Sequence, residues 1–180
     1  MRFEASRSQA LVIDIQERLF PHIFEHDALA QRSAMLIRGL QILDIPVHVT
    51  EQYSKGLGPT IPVIAEALGR FEPIEKMTFS ACGSPDVEAR VLGLGRHAVV
   101  VFGIETHVCV QQTVLDLLAQ GQTAIVVEDC VSSRRQQDRD AALRRMASAG
   151  AIVTTAESLL FEFMRTAEHP QFKQISQLVK

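Results

Sequence analysis

Residues 99–110 read Val-Val-Val-Phe-Gly-Ile-Glu-Thr-His-Val-Cys-Val, an unbroken apolar run followed by a glycine and, further on, a cysteine. A valine-rich run of this length without alternation is typical of a strand covered on both faces, as in a parallel sheet. The apolar residues that follow recur at helical spacing and predict a helix that begins near Thr106 or His107. The stretch therefore predicts a strand, a tight turn and a helix in succession.

Cys109 falls in the first turn of this predicted helix. Free backbone N–H groups and the helix dipole favour a thiolate at that position, so Cys109 is a candidate nucleophile. Free cysteines are also common as small core residues, and this stretch alone leaves both interpretations open.

The composition is typical of a globular protein, and 180 residues suit a single domain over residues 1–180. The net charge is −3 and there is no dense basic stripe, which argues against a nucleic-acid partner. Acidic residues interrupt the arginines of residues 134–145, which favours a solvated helix face.

Three cysteines without CxxC spacing predict neither a disulfide framework nor a zinc knuckle. The N-terminus lacks a signal-peptide core, and no segment has the length and hydropathy of a membrane span. We therefore expect a reduced cytoplasmic enzyme with no membrane partner.

Apolar runs alternate with helical patterns along the whole chain, which predicts a parallel sheet with helices on both faces. The predicted strands are residues 10–15, 46–50, 71–74, 97–102, 123–127 and 151–154. The predicted helices are residues 28–43, 61–68, a segment starting at 84, 106–120, 136–148, 156–165 and 171–179, with a loop over 51–59. Ligands of such folds bind at the carboxyl ends of strands where the strand order reverses. If the order is 3-2-1-4-5-6, Asp14 and Cys109 meet at that reversal.

A carboxylate near the end of a buried strand is costly unless it is paired or used, so Asp14 is either structural or a candidate base. Lys76 follows the predicted third strand and does not lie in a charged helical pattern. As a nearby cation, it would lower the pKa of the Cys109 thiol. Asp14 could then take the thiol proton and return it to a leaving amine.

Other potential ligands and nucleophiles carry weaker signals. His22, His26 and His48 lack tight ligand spacing with carboxylates, so we predict no metal site. Cys82 and Cys130 are predicted to be packing thiols.

Several motifs together resemble the isochorismatase-like cysteine hydrolase superfamily, and most closely its isochorismatase-domain-containing branch. The matching segments span nearly the whole chain: residues 11–16, 49–53, 55–60, 76 with 79–80, 103–110, 129–134 and 169–173. The resemblance implies a doubly wound, six-stranded parallel sheet in the order 3-2-1-4-5-6, and a triad of Asp14, Lys76 and Cys109. It also implies a cis peptide at Ile104–Glu105 and an oxyanion hole formed by the N–H groups of Glu105 and Cys109.

Two departures from relatives narrow the expected chemistry. Residues 51–55 lack the histidines of metal-binding nicotinamidases, so the expectation is no metal and no other cofactor. Siderophore-pathway isochorismatases do not use a cysteine nucleophile, so Cys109 favours acyl transfer.

We therefore predict a hydrolase that cleaves a C–N bond in a small amide or carbamoyl compound through a thioester. Gln16, Tyr53, Phe79, Glu105 and His107 are the candidates for the pocket wall. Two alternatives remain open: vinyl-ether hydrolysis of an isochorismate-like substrate, and a non-catalytic scaffold or redox protein that retains the fold. Because relatives assemble, we also expect a homo-oligomer.

Overall fold

The computed structural model of the protein describes residues 2–180, and a six-stranded sheet lies at its centre. All neighbouring strands are parallel, in the order β3-β2-β1-β4-β5-β6. The strands are β1 Ser8–Ile13, β2 Val47–Gln52, β3 Ile74–Lys76, β4 Ala98–Ile104, β5 Thr123–Ser132 and β6 Ile152–Thr154. The predicted doubly wound sheet and its strand order are confirmed.

Helices connect the strands and pack in two groups, one on each face of the sheet. The helices are α1 His26–Ile42, α2 Ser54–Leu57, α3 Pro62–Leu68, α4 Pro85–Arg90, α5 Gln111–Ala119, α6 Gln136–Ser148, α7 Ala156–Met164 and α8 Phe172–Leu178. Helix α1 contacts α3, α7 and α8, whereas α5 contacts α6. This grouping follows from the order of the strands, because right-handed crossovers place helices on opposite faces when the direction of winding reverses.

The two central strands are covered on both faces. All six residues of β1 are buried, and Val99 to Phe102 of β4 have no solvent exposure. Burial on both faces explains why these strands are continuous apolar runs without the alternation of a half-exposed strand. Within residues 2–180, no helix is long and apolar enough to cross a lipid bilayer.

Several predicted boundaries near the carboxyl edge of the sheet are wrong, including the end of β1, which lies at Ile13 and not at residue 15. Lys76 is the last residue of β3, whereas the sequence placed it beyond that strand. The predicted loop over residues 51–59 instead contains the end of β2 and the short helix α2. Strand β5 extends to Ser132, five residues further than predicted, so that Cys130 lies inside the strand.

Gly103 allows β1 and β4 to approach each other where the candidate site begins. It pairs with Ile13, and its φ is +124°. A Cβ atom built at Gly103 would lie 2.1 Å from the carbonyl oxygen of Ile13. The next residue of β1 is Asp14, so this close contact sets the position of Asp14 relative to the end of β4.

We expect Gly103→Ala to destabilise the protein by about 2–4 kcal/mol, because the new methyl group clashes with backbone and the φ is unfavourable. Gly121→Ala is the matched control, since Gly121 has a φ of +75° but no atom within 4 Å of a built Cβ. Its expected cost is about 1 kcal/mol. Urea unfolding of both variants checks the prediction, and equal losses would contradict it.

Candidate active site

Asp14 lies directly after β1, fully buried and with a left-handed backbone conformation, φ +51°. Its N–H donates to the carbonyl of Thr50 on β2 at 3.2 Å. The Thr50 hydroxyl donates to Asp14 Oδ1 at 2.7 Å. One carboxylate oxygen is thereby fixed by the neighbouring strand.

The second oxygen of Asp14 is paired with Lys76, which comes from the end of β3. Lys76 Nζ donates to Asp14 Oδ2 at 2.7 Å, and both side chains are fully buried. Nζ also has oxygen acceptors at Gln52 Oε1, at 2.8 Å, and at the carbonyls of Thr78 and Phe79, at 3.1 and 3.2 Å. All of these partners accept hydrogen bonds, so the N–H groups of the lysine have buried acceptors.

Cys109 belongs to a widened helical turn, Thr106–Val110, that leads into α5. The N–H of Val110 donates to the carbonyl of Glu105, five residues earlier, at 3.2 Å. The Thr113 hydroxyl donates to the Cys109 carbonyl at 2.6 Å and accepts from the N–H of Ala81 at 2.9 Å. The predicted helix start at Thr106 is confirmed, and Thr113 ties the cysteine to the segment that follows Lys76.

The structure brings the Cys109 thiol close enough to Asp14 and Lys76 for both to act on its pKa. Burial, and after it the carboxylate of Asp14, raise the pKa of Cys109 and the ammonium of Lys76 lowers it, with a net value of about 12. The features of the sequence that favour a thiolate therefore do not determine the net pKa of Cys109. Lys76 acts in the predicted direction, but the loss of water around a side chain in a residue only 7% exposed outweighs it.

Glu105 connects the end of β4 to the segment after β5. The peptide bond between Ile104 and Glu105 is cis, at the position that the resemblance implies. The buried Glu105 carboxylate accepts from the backbone N–H and from Nε of Arg134, each at 3.0 Å. The backbone N–H groups of Glu105 and Cys109 remain our candidates for an oxyanion hole.

Gln16 is placed differently from the other pocket candidates. Its side-chain Nε2 donates to the carbonyls of Gln52 and Gly58, and its Oε1 accepts from the N–H of Gln52. The residue has no solvent exposure. These contacts favour a bracing role for Gln16 over direct contact with a substrate.

The aromatic candidates lie at the open rim of the site. Tyr53 and Phe79 are 48% and 56% exposed, and both follow strands that carry site residues. The N–H of Tyr53 donates to the carbonyl of Lys76 at 3.1 Å. Their position beside Lys76 is compatible with a pocket wall.

His107 lines a cavity on the other flank of the nucleophile turn. Its Nδ1 lies 2.9 Å from the hydroxyl of Ser133. The cavity has a volume of about 350 Å³ and is also lined by Arg134, Arg135 and Asp138. A polar ligand group would find hydrogen-bonding side chains there.

Sequence reasoning missed three residues that hold the site: Thr50, Gln52 and Thr113. Thr50 and Gln52 lie in β2 beside the ends of β1 and β3. The rule that singled out Asp14, polar residues at the carboxyl end of a buried strand, would have found both. Thr113 carried no such signal, because it lies within an otherwise ordinary helix.

The two remaining cysteines lie in environments that disfavour ionisation. Burial raises the pKa of Cys82 to about 11, with a smaller contribution from Asp116. Cys130 has no solvent exposure, and burial raises its pKa well above the usual range. In the described part of the chain, no three His, Cys, Asp or Glu residues form a group that could hold a metal ion.

The protein family described as the isochorismatase domain matches this chain over residues 8–158. The chain belongs to the isochorismatase family. Isochorismatase domain-containing protein 1 from Salmo salar is 45% identical over 168 residues, which are 93% of this chain and 59% of that protein. The chain thus spans less than two thirds of that relative's length.

Solved structures share the fold of the whole described chain. The MAR1 ribonuclease from Caenorhabditis elegans has a TM-score of 0.94 and 39% identity, covering 99% of this chain and 92% of that chain. The YcaC protein of Escherichia coli, an octameric hydrolase of unknown specificity, has a TM-score of 0.92 and 22% identity, covering 99% and 89%. The fold is therefore shared even with a structure that is only 22% identical in sequence.

We expect Thr50→Val to lower the free energy of unfolding by about 1–3 kcal/mol, because Asp14 Oδ1 would lose its buried hydroxyl donor. Thr154→Val in β6 is the matched control, since Thr154 is half-buried and lies away from Asp14. Urea unfolding of both variants gives the comparison. Equal losses would show that the Thr50 hydroxyl does not support the carboxylate.

The rate at which iodoacetamide alkylates Cys109 should show how Asp14 and Lys76 shift the pKa of its thiol. At pH 8, Asp14→Asn should speed Cys109 labelling about tenfold, because removing the carboxylate lowers the thiol pKa while Lys76 stays. Lys76→Met should slow the labelling. Peptide mass spectrometry identifies the labelled cysteine, with Cys109→Ala as the blank and circular dichroism as the check on folding. Slower labelling of Asp14→Asn would contradict the assigned balance.

Proposed function

We propose that this chain is a cysteine hydrolase that cleaves a C–N bond of a small amide or carbamoyl compound, with Cys109 as nucleophile. The observation that carries the proposal is the buried contact of 2.7 Å between Lys76 Nζ and Asp14 Oδ2, beside a thiol whose pKa both groups affect. A buried ion pair next to a buried thiol is expensive to maintain for stability alone, which favours a catalytic use.

Because the pKa of the Cys109 thiol is raised, the reaction needs a base, and Asp14 is the proposed base. Because Cys109 rests as a thiol, its sulfur becomes a strong nucleophile only when a base removes the proton. Asp14 takes this proton as the sulfur attacks the carbonyl carbon of the substrate. Lys76 keeps the neighbouring charge balanced, since it stabilises the carboxylate at rest and the sulfur as negative charge develops.

The attack converts the substrate carbonyl into an oxyanion. The N–H groups of Glu105 and Cys109 are proposed to donate to it, and one such donor contributes about 3 kcal/mol to lowering a barrier. The contacts between the Glu105 carboxylate and Arg134 support this role, because they hold the first of the two peptide groups in place.

Collapse of the intermediate breaks the C–N bond. Asp14 returns the proton to the leaving nitrogen, which departs as ammonia or an amine and leaves an acyl thioester on Cys109. Water then attacks the thioester with Asp14 again as base. This step releases the acid product and restores the thiol, so the cycle uses no cofactor.

The first alternative is hydrolysis of a vinyl ether in an isochorismate-like substrate. That reaction requires an acid and no covalent step, so Cys109 would have no catalytic role in it. The second alternative is a scaffold or redox protein without turnover. The name of the Caenorhabditis elegans relative adds a third possibility, RNA cleavage, which the net charge of −3 does not favour.

A homo-oligomer is part of the proposal. The octameric state of the Escherichia coli YcaC protein supports it. Tyr53, Met77 and Phe79 form an exposed apolar group next to Lys76, and such groups commonly mark contact surfaces.

Intact-mass spectrometry after acid quench tests the proposal with a panel of small primary amides and carbamoyl compounds. We expect the protein to gain the mass of one acyl group with any panel member that it hydrolyses. Cys109→Ala should give no adduct and lose at least about 10³-fold in kcat/KM. Cys82→Ala is the matched control and should keep both the adduct and the turnover.

Other results would select the alternatives. Turnover of an isochorismate-like vinyl ether that survives Cys109→Ala would favour the first alternative. Absence of turnover and of adduct across the panel would favour a scaffold. If the protein cleaves a single-stranded RNA and Asp14→Asn abolishes this cleavage, the result would favour a nuclease.

A further inference from the structure

A second polar cavity lies between β2 and β3, near the start of both strands and apart from Cys109. Its volume is about 110 Å³. The cavity is lined by His48 on β2 and Ile74 on β3, with Arg70, Glu72 and Arg90 around them.

His48 presents an unsatisfied group in this cavity. Its Nε2 is buried and has no hydrogen-bond partner within residues 2–180. Burial lowers the pKa of His48, and the nearby charge of Arg90 lowers it further, so the ring is neutral at physiological pH. A neutral imidazole carries one N–H and one acceptor nitrogen, and a buried ring nitrogen without a partner is destabilising.

The charges around His48 are predominantly positive. Arg90 Nη2 donates to the carbonyl of Glu72 at 3.1 Å and lies 3.7 Å from its carboxylate. Arg70 has no carboxylate within ion-pair distance in the described chain. Two guanidinium groups and one carboxylate leave one net positive charge at the cavity.

We propose that this cavity binds a small oxyanion of the phosphate or sulfate type. The anion would accept from His48 Nε2 and from the guanidinium groups of Arg70 and Arg90, which are preferred donors for such groups. A water molecule takes about 30 Å³ in the liquid, so a cavity of about 110 Å³ has room for an anion several times larger than a water molecule.

The position of this cavity connects it to the candidate active site. His48 and Thr50 lie two residues apart on the same face of β2, and Ile74 and Lys76 do so on β3. Thr50 and Lys76 are the two side chains that bind the carboxylate of Asp14. The anion site is nevertheless independent of the proposed hydrolysis, since neither Cys109 nor Asp14 lines the cavity.

NMR of the His48 imidazole tests the proposal, with its resonance assigned from a His48→Gln spectrum. Inorganic phosphate, sulfate and acetate are titrated at constant ionic strength against sodium chloride. We expect a saturable shift with phosphate and sulfate and a rise in the pKa of His48, because a bound anion favours the imidazolium form. Glycerol phosphate is titrated in the same way. If it binds more tightly than inorganic phosphate, the source of the anion is a phosphomonoester.

Variants distinguish a specific binding site from a general attraction of anions to positive charge. Arg70→Gln and Arg90→Gln should each weaken phosphate binding at least about fivefold. Arg38→Gln is the matched control, because Arg38 lies on α1 next to Glu66 and does not line the cavity. No saturable shift with phosphate or sulfate, or equal weakening by Arg38→Gln and Arg70→Gln, would overturn the proposal. Arg70 and Arg90 are both exposed, so both variants should fold.

Discussion

The ion pair between Asp14 and Lys76 is the interaction on which the candidate site depends. Two charges without solvent exposure are stable only when hydrogen bonds replace the lost water. Thr50 supplies a donor to one carboxylate oxygen, while Gln52 and the carbonyls of Thr78 and Phe79 surround the ammonium. These partners come from β2 and from the segment after β3. The requirement to satisfy one buried pair thus fixes the relative positions of three strand ends.

Burial also explains the state of the nucleophile. The same enclosure that shields the ion pair removes water from Cys109, and the adjacent carboxylate adds to the cost of a second negative charge. The resting protein therefore keeps the proton of Cys109 on sulfur, and Asp14 is our proposed acceptor for it. Desolvation is the largest contribution to the pKa of Cys109, although a position at the start of a helix favours a thiolate.

The topology of the sheet brings these groups together. Strands β1 and β4 are neighbours where the strand order reverses, and Gly103 allows their backbones to approach just before Asp14. The segment after β4 then turns towards β5 through the contacts between Glu105 and Arg134. Distant parts of the chain therefore meet at one edge, as expected for parallel sheets in which ligands bind at the carboxyl ends of strands.

The sequence by itself determined the parallel sheet and the segments that end at its carboxyl edge, because buried parallel strands leave a continuous apolar signal in residues such as 99–102. The order of the strands followed from the family resemblance. The motifs also singled out Asp14, Lys76 and Cys109. Only the tertiary structure decided that the Cys109 pKa is raised, that Gln16 is engaged by backbone groups, and that Thr50, Gln52 and Thr113 hold the site. These properties depend on burial and on hydrogen bonds between residues far apart in the chain, which local patterns do not encode.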